Sequence, residues 1–131
     1  MPLIAALCVK NTHLTLYVND VLSCSMVILE TTVFTKIVQA LMPDDEYRLL
    51  QNHLIEFPES GDLIKGSGGL RKIRWKLEGR GKRGGVRVIY YWATNDYQIF
   101  MLFAYAKNEQ EDLTKDQLSV LKKLVESEFR K

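Results

Sequence analysis

The sequence predicts an α+β domain, in which an antiparallel sheet is combined with an N-terminal αα-hairpin and a C-terminal helix. Three observations predict it. Two runs with helical spacing of apolar residues lie between positions 32 and 57, three β-prone segments follow between positions 70 and 107, and a last amphipathic run begins at Thr114. One short strand precedes the helices, so the predicted order is β-α-α-β-β-β-α. A length of 131 residues suits one compact domain of this kind.

The first half of the domain consists of one strand and two helices. Val27–Glu30 is short and apolar, which favours a strand. Thr32–Met42 follows with its apolar residues on one helical stripe. Pro43 fits the first turn of a second helix, and the acidic residues after it complement the dipole of that helix. Pro58 then ends the second helix, so the two helices are predicted to form an αα-hairpin.

The second half consists of three strands and the final helix. Pro58–Gly69 is predicted to be a loop, and Gly79–Gly85 a flexible basic hairpin loop. The predicted strands share a high β-propensity; they are Leu70–Leu77, Gly85–Thr94 and Gln98–Lys107. Thr114 and Gln117 have the spacing of a capping box, so they predict the start of the final helix.

The N-terminal segment differs from the rest of the chain. Residues 1–25 carry only Lys10 and Asp20 as charges, and they lack the basic start and long apolar run of a signal peptide. We therefore predict that residues 1–25 are an extension, which is either a mis-assigned start or variable, and that residues 26–131 are the domain. The alternative is an additional strand at His13–Val18, which is β-prone. The sequence contains no run of about 18 apolar residues, so it predicts no membrane-spanning helix.

The basic residues are concentrated in one segment. Arg71–Arg87 contains eight of the 18 basic residues but one of the 16 acidic residues. Strand alternation places Lys72, Arg74 and Lys76 in a row on one sheet face, about 7 Å apart. Charge concentrated on rigid elements is typical of a site for a polyanion. The alternative is a solvated cationic strand that discourages aggregation at a sheet edge.

Arg87 interrupts an apolar run between Val86 and Val88. An arginine in such a run needs a partner, because burying an unpaired charge is costly. Two interpretations remain open. Arg87 forms a structural ion pair, with Glu109 or Glu111 as the candidate partner, or its guanidinium binds a phosphate through its planar fork.

The sequence predicts neither a metal site nor a bound cofactor. The histidines are His13 and His53, and no cluster of histidine, cysteine and carboxylate residues has zinc-binding spacing. Gly61 and Gly66 have the spacing of a P-loop, but Ser67 stands where that motif requires lysine. Phosphate binding through a P-loop is therefore excluded.

Three motifs together resemble a known family. They are GGLRKIR at 68–74, GKRGGVRVIYY at 81–91, and the strand end AKNE at 106–109. From Met26 to about Glu128 the chain resembles the RelE superfamily of bacterial toxins, most closely its HigB type. The resemblance implies a RelE-like fold and a cytoplasmic toxin of a type II toxin–antitoxin pair. It implies a ribosome-dependent endoribonuclease that cuts translated mRNA. Its partners would be a helix-turn-helix antitoxin, the ribosome and mRNA, and the toxin would be a monomer that forms a hetero-oligomer with its antitoxin.

The residues at these motifs have the chemistry that RNA cleavage needs. In-line attack requires removal of the 2′-OH proton, neutralisation of the phosphorane charge and protonation of the 5′-oxygen. Repulsion between neighbouring cations favours proton loss from one of them, so Lys72 is the candidate general base. Arg74 and Arg87 would clamp the phosphate, Lys107 would be the general acid, and Asn108 would orient the substrate. A second group would bind RNA or the ribosome: Arg71, Lys76, Arg80, Lys82 and Arg83.

One departure from the family pattern concerns these roles. Better-known RelE-type toxins have an arginine where Asn108 stands and an aromatic residue near the C-terminus.

Two other functions also fit the charge pattern. One is a non-catalytic nucleic-acid-binding protein, such as a decayed toxin, and the other is an interaction module whose basic groove binds an acidic helix. Cleavage of translated mRNA distinguishes the toxin from both.

Overall fold

The structure, a computed structural model, describes residues 3–9, 26–76, 85–93 and 98–129. Within these residues the α+β prediction is confirmed. The strands are β1 (Leu3–Val9), β2 (Met26–Thr31), β3 (Asp62–Leu63), β4 (Leu70–Lys76), β5 (Gly85–Ala93) and β6 (Gln98–Ala106). The helices are α1 (Thr32–Leu41), α2 (Asp44–Glu56) and α3 (Lys115–Phe129). None of these helices is long and apolar enough to cross a membrane.

The described strands form one sheet in the order β1-β2-β6-β5-β4-β3. All neighbouring strands are antiparallel except β2 and β6, which are parallel. The sheet predicted to be antiparallel is therefore mixed, although mostly antiparallel. The two helices between β2 and β4 provide a crossover, and a parallel strand pair requires such a connection.

Two strands lie where the sequence did not predict them. Strand β1 is an edge strand that pairs with β2, from Leu3 opposite Thr31 to Val9 opposite Met26. The strand considered at His13–Val18 lies outside the described residues. The short strand β3 lies within the predicted loop and pairs with the start of β4. The division of the chain at Met26 stays a prediction.

Helices cover both faces of the sheet. On one face, α1 and α2 pack against alternate residues of β5, including Val86, Val88 and Tyr90. On the other face, α3 packs through Leu121, Leu124 and Val125 against a second set of strand residues that includes Ile89. Since successive strand side chains point to opposite faces, Arg87 lies on the α3 side.

Hydrogen bonds fix the helix starts. The hydroxyl of Thr31 accepts the Phe34 N–H at 3.0 Å and donates to the Leu102 carbonyl at 3.1 Å, which ties α1 to β6. The predicted capping box is confirmed. Thr114 N–H donates to the Gln117 side chain at 3.0 Å, and Gln117 N–H donates to the Thr114 hydroxyl at 3.1 Å. The C-terminal helix therefore begins at a defined distance from the end of β6.

A rigid glycine turn leads into the cationic strand β4. Gly66, Gly68 and Gly69 have φ values of 71°, 78° and 115°. Residues other than glycine rarely adopt φ values in this region. The Ser67 hydroxyl is at the centre of the turn; it donates to the Ile64 carbonyl at 2.6 Å and accepts the Leu70 N–H at 3.0 Å. The start of β4 is thus fixed in direction.

Tyr90 ties the α2–β3 connection to the sheet, and its loss is expected to destabilise the fold. The Tyr90 hydroxyl donates to the Pro58 carbonyl at 2.7 Å and accepts the Gly61 N–H at 2.9 Å. Tyr90→Phe leaves both backbone groups unpaired in a buried site, so we expect the free energy of unfolding to fall by about 2 kcal/mol. Chemical denaturation measures this change.

Tyr105→Phe is the matched control. It removes the hydroxyl of a second buried tyrosine, whose hydrogen bond to the Glu111 carbonyl is long, at 3.4 Å. Its cost should be below about 1 kcal/mol. Equal costs for the two variants would contradict the role assigned to the Tyr90 hydroxyl.

Candidate nucleic-acid interface

The register of the central strands brings the predicted cations together. Arg74 on β4 lies opposite Arg87 on β5, and Arg87 lies opposite Tyr105 on β6. Lys72 and Lys76 share the face of Arg74, because they are two residues away along the same strand. The predicted alternation of β4 is therefore confirmed. Arg74 and Lys76 are exposed, whereas Lys72 is half-buried.

Lys107 joins this cluster from the end of β6. Its N–H donates to the Gly85 carbonyl at 3.0 Å, so the ladder between β5 and β6 continues past the strand end. Gly85 lies opposite Lys76 on β4. A Cβ on Gly85 would lie 3.5 Å from Arg87 Nη1 and 4.0 Å from Lys107 Cβ. Lys72, Arg74, Lys76, Arg87 and Lys107 form a surface that we call the basic face.

Arg87 is the buried member of the basic face. It is 9% exposed, and it forms no ion pair with any carboxylate of the described residues, Glu109 and Glu111 included. The structure therefore does not contain the ion pair considered from the sequence. A buried guanidinium without a counter-ion is costly, and a bound anion would offset that cost.

Lys72 has a carboxylate partner that the sequence did not predict. Its ammonium donates to Asp112 Oδ1 at 2.5 Å, and the Asp112 side chain is 72% exposed. The hydrogen bond and charge of Lys72, followed by the charges of Arg87 and Arg74, lower the pKa of Asp112. The ammonium is thus already engaged as a hydrogen-bond donor to a carboxylate. This contact therefore argues against Lys72 as the general base.

Tyr105 is a second residue near the basic face that the sequence did not predict there. It is 3% exposed, and burial, followed by the charge of Asp112, raises its pKa, whereas the charge of Arg87 lowers it. Tyr105 lies two residues before Lys107 on the predicted strand, and strand residues two positions apart point to the same sheet face. The sequence could therefore have placed Tyr105 beside Lys107. Asp112 gave no such signal, because it lies in the loop after β6.

Other predicted site residues lie elsewhere. Arg71 is on the opposite sheet face, where it donates to the carbonyls of Glu59 and Gly61 at 3.1 and 2.8 Å and lies 5.9 Å from the Trp92 ring. These contacts hold the loop before β3, apart from the basic face. Asn108 is exposed in the turn after Lys107. Arg80, Lys82 and Arg83 lie outside the described residues.

Together, the mixed α+β sheet and the basic face define an α+β protein with a cationic surface beside the C-terminal helix. One family profile, described as RelE toxin of the RelE / RelB toxin-antitoxin system, matches residues 28–130. Since this match covers most of the chain, the chain belongs to the RelE toxin family. It is a toxin of a toxin–antitoxin system, and an antitoxin is its partner.

Proposed function

We propose that this toxin is a ribosome-dependent endoribonuclease of the HigB type, which cuts mRNA during translation. It acts in the cytoplasm, and its partners are the ribosome, mRNA and a helix-turn-helix antitoxin. One observation carries the proposal: Arg87 is buried, forms no ion pair with any of the described residues and lies directly opposite Arg74. Two guanidinium groups so placed have the geometry and charge to bind one phosphate group.

The reacting phosphate would lie over Gly85, where no side chain separates Arg87 from Lys107. Arg74 and Arg87 neutralise the charge that develops on the phosphorane. Lys107 donates a proton to the departing 5′-oxygen, and Asn108 orients the nucleotide. Lys72 contributes a positive charge, because its ammonium is already hydrogen-bonded to a carboxylate.

The remaining basic residues would bind RNA without sequence preference. Lys76 extends the basic face along β4, and Arg80, Lys82 and Arg83 follow it in the sequence. Such cations form phosphate contacts that position RNA and release counterions. Arg71 could join them only by giving up its contacts with the loop before β3.

The variants Lys82→Ala and Arg83→Ala test these phosphate contacts. Each variant should weaken ribosome binding and reduce the slope of log affinity against log salt by about one. Binding titrations at several salt concentrations measure the slope, with Lys36→Ala on the exposed side of α1 as the control. Unchanged slopes in both variants would show that Lys82 and Arg83 do not contact the ribosome.

Primer extension on one mRNA tests the proposed function. Purified protein is incubated with the mRNA in the presence and absence of translating ribosomes, and Arg87→Ala is run in parallel. Cuts restricted to the translated sample and absent with the variant support the proposal. Cuts in both samples would indicate a free ribonuclease. Bound RNA without cuts would indicate a nucleic-acid-binding protein without catalytic activity.

A further inference from the structure

We propose that Asp112 is the general base of the cleavage reaction and that its carboxylate removes the proton of the attacking 2′-OH. This inference rests on the proposed function and adds a catalytic residue to it. The supporting observation is geometric: Asp112 belongs to the loop between β6 and α3, yet its carboxylate lies on the basic face, 2.5 Å from the Lys72 ammonium.

The other described groups near this face are poor proton acceptors. Lys72 donates its hydrogen bond to a carboxylate, and arginine remains protonated at all relevant pH values. Tyr105 is buried, and its hydroxyl donates to a backbone carbonyl. His53 lies on α2, on the other side of the sheet, where its ring packs against Trp75 and Phe57. Among the described carboxylates of the loop after β6, Asp112 is the one that contacts a cation of the basic face, and its side chain is accessible.

Two contacts hold Asp112 in place. Gln110 Nε2 donates to the Asp112 carbonyl at 2.8 Å and to the Gln117 side chain at 3.0 Å, which ties the loop to the start of α3. Lys72 binds Oδ1 of the carboxylate, whereas Oδ2 accepts no hydrogen bond from the described residues. The free oxygen and the 72% exposure of the side chain leave room for a ribose hydroxyl.

The proposed step balances in atoms and charge. The 2′-O–H proton passes to Asp112, the 2′-oxygen forms a bond to phosphorus, and the bond from phosphorus to the 5′-oxygen breaks. The 5′-oxygen receives a proton from Lys107, and the products are a 2′,3′-cyclic phosphate and a 5′-OH end. Protonation of Asp112 also leaves Lys72 without its counter-ion while negative charge grows on the phosphorane, so the ammonium can stabilise that charge.

Asp112→Asn and Glu111→Gln form a matched pair that tests the inference. Both remove one negative charge from the same exposed loop. Single-turnover cleavage of mRNA on translating ribosomes should fall at least about 100-fold in Asp112→Asn and stay within about threefold of wild type in Glu111→Gln. Ribosome binding by Asp112→Asn should be unchanged or tighter, because a repulsive charge beside the phosphate is lost.

Asp112→Ala provides a second readout, since added formate can replace a missing base in an exposed site. Formate should restore part of its cleavage rate and should not accelerate the wild type. Cleavage by Asp112→Asn at the wild-type rate would overturn the inference, and so would a loss in Asp112→Ala that formate does not restore. Wild-type protein that does not cut in the same assay would overturn the proposed function, and the role of Asp112 with it.

Discussion

Arg87→Ala is expected to abolish growth inhibition and to slow mRNA cleavage by about 100- to 1000-fold. Arg87 is 9% exposed as a residue, forms no ion pair with the described carboxylates and lies opposite Arg74. Its charge is therefore available to the transition state, and its burial makes its electrostatic effect stronger than that of an exposed cation. Growth on induction and single-turnover cleavage on translating ribosomes measure the effect.

Three controls separate chemistry from folding in this experiment. The unfolding transition of Arg87→Ala should remain cooperative, since the variant removes a side chain that forms no ion pair with any described residue. Arg87→Lys keeps the charge but loses the planar fork, so its activity should lie between those of Ala and wild type. Arg48→Ala removes an exposed arginine from α2 and should be fully toxic. A folded Arg87→Ala variant that still stops growth would disprove the proposal that Arg87 binds the reacting phosphate.

Lys72→Met is expected to reduce cleavage by about 100-fold, whereas Lys72→Arg should stay within about 10-fold of wild type. The reason is that the cation at this position donates a hydrogen bond to Asp112. Arginine can supply that cation but cannot act as a general base at neutral pH. Single-turnover rates with translating ribosomes distinguish these roles.

The comparison with Lys76 makes the Lys72 test specific. Lys76 is exposed on the same face and belongs to the same strand, so Lys76→Met removes an equal charge farther from Asp112. Its cleavage rate at saturating ribosome concentration should change less than about fivefold, because its contribution is to binding. If Lys72→Arg is as inactive as Lys72→Met, Lys72 is the general base and the role of Asp112 must be reassigned.

The contact between Lys72 and Asp112 predicts that substitutions of these two residues are not additive. The charges of Arg87 and Arg74 also lower the pKa of the Asp112 carboxyl, after the larger effect of Lys72. Substitution of either partner therefore changes the site of the other, and the double variant should be less impaired than the two single effects combined.

Much of the fold was predictable because its signals are local. The apolar spacing of α1 and α2 and the capping box of α3 depend on residues within four positions of one another. The alternation of β4 likewise placed Lys72, Arg74 and Lys76 on one face, as the structure confirms. The burial of Arg87 also followed from its apolar neighbours, because a strand buried on both faces reads as a continuous apolar run.

The features that the sequence did not predict are contacts between distant residues. The parallel pairing of β2 with β6 depends on how the chain returns after the helices, which no local pattern specifies. Arg71 was grouped with the RNA-binding cations by its position in a basic run, but its guanidinium binds the loop before β3. Asp112 was missed because an acidic residue in a polar loop is ordinary until the fold brings it to a lysine 40 positions away.

The sequence by itself determined the three helices, the strands β2, β4, β5 and β6, the sheet face that Lys72, Arg74 and Lys76 share, and the family. Each depends on periodicity or on short motifs. Only the tertiary structure decided that Arg74, Arg87 and Tyr105 form one cross-strand row, that Arg87 has no ion pair among the described residues, and that Asp112 binds Lys72. These facts depend on strand register and on the path of the loop after β6, which the packing of the whole domain fixes.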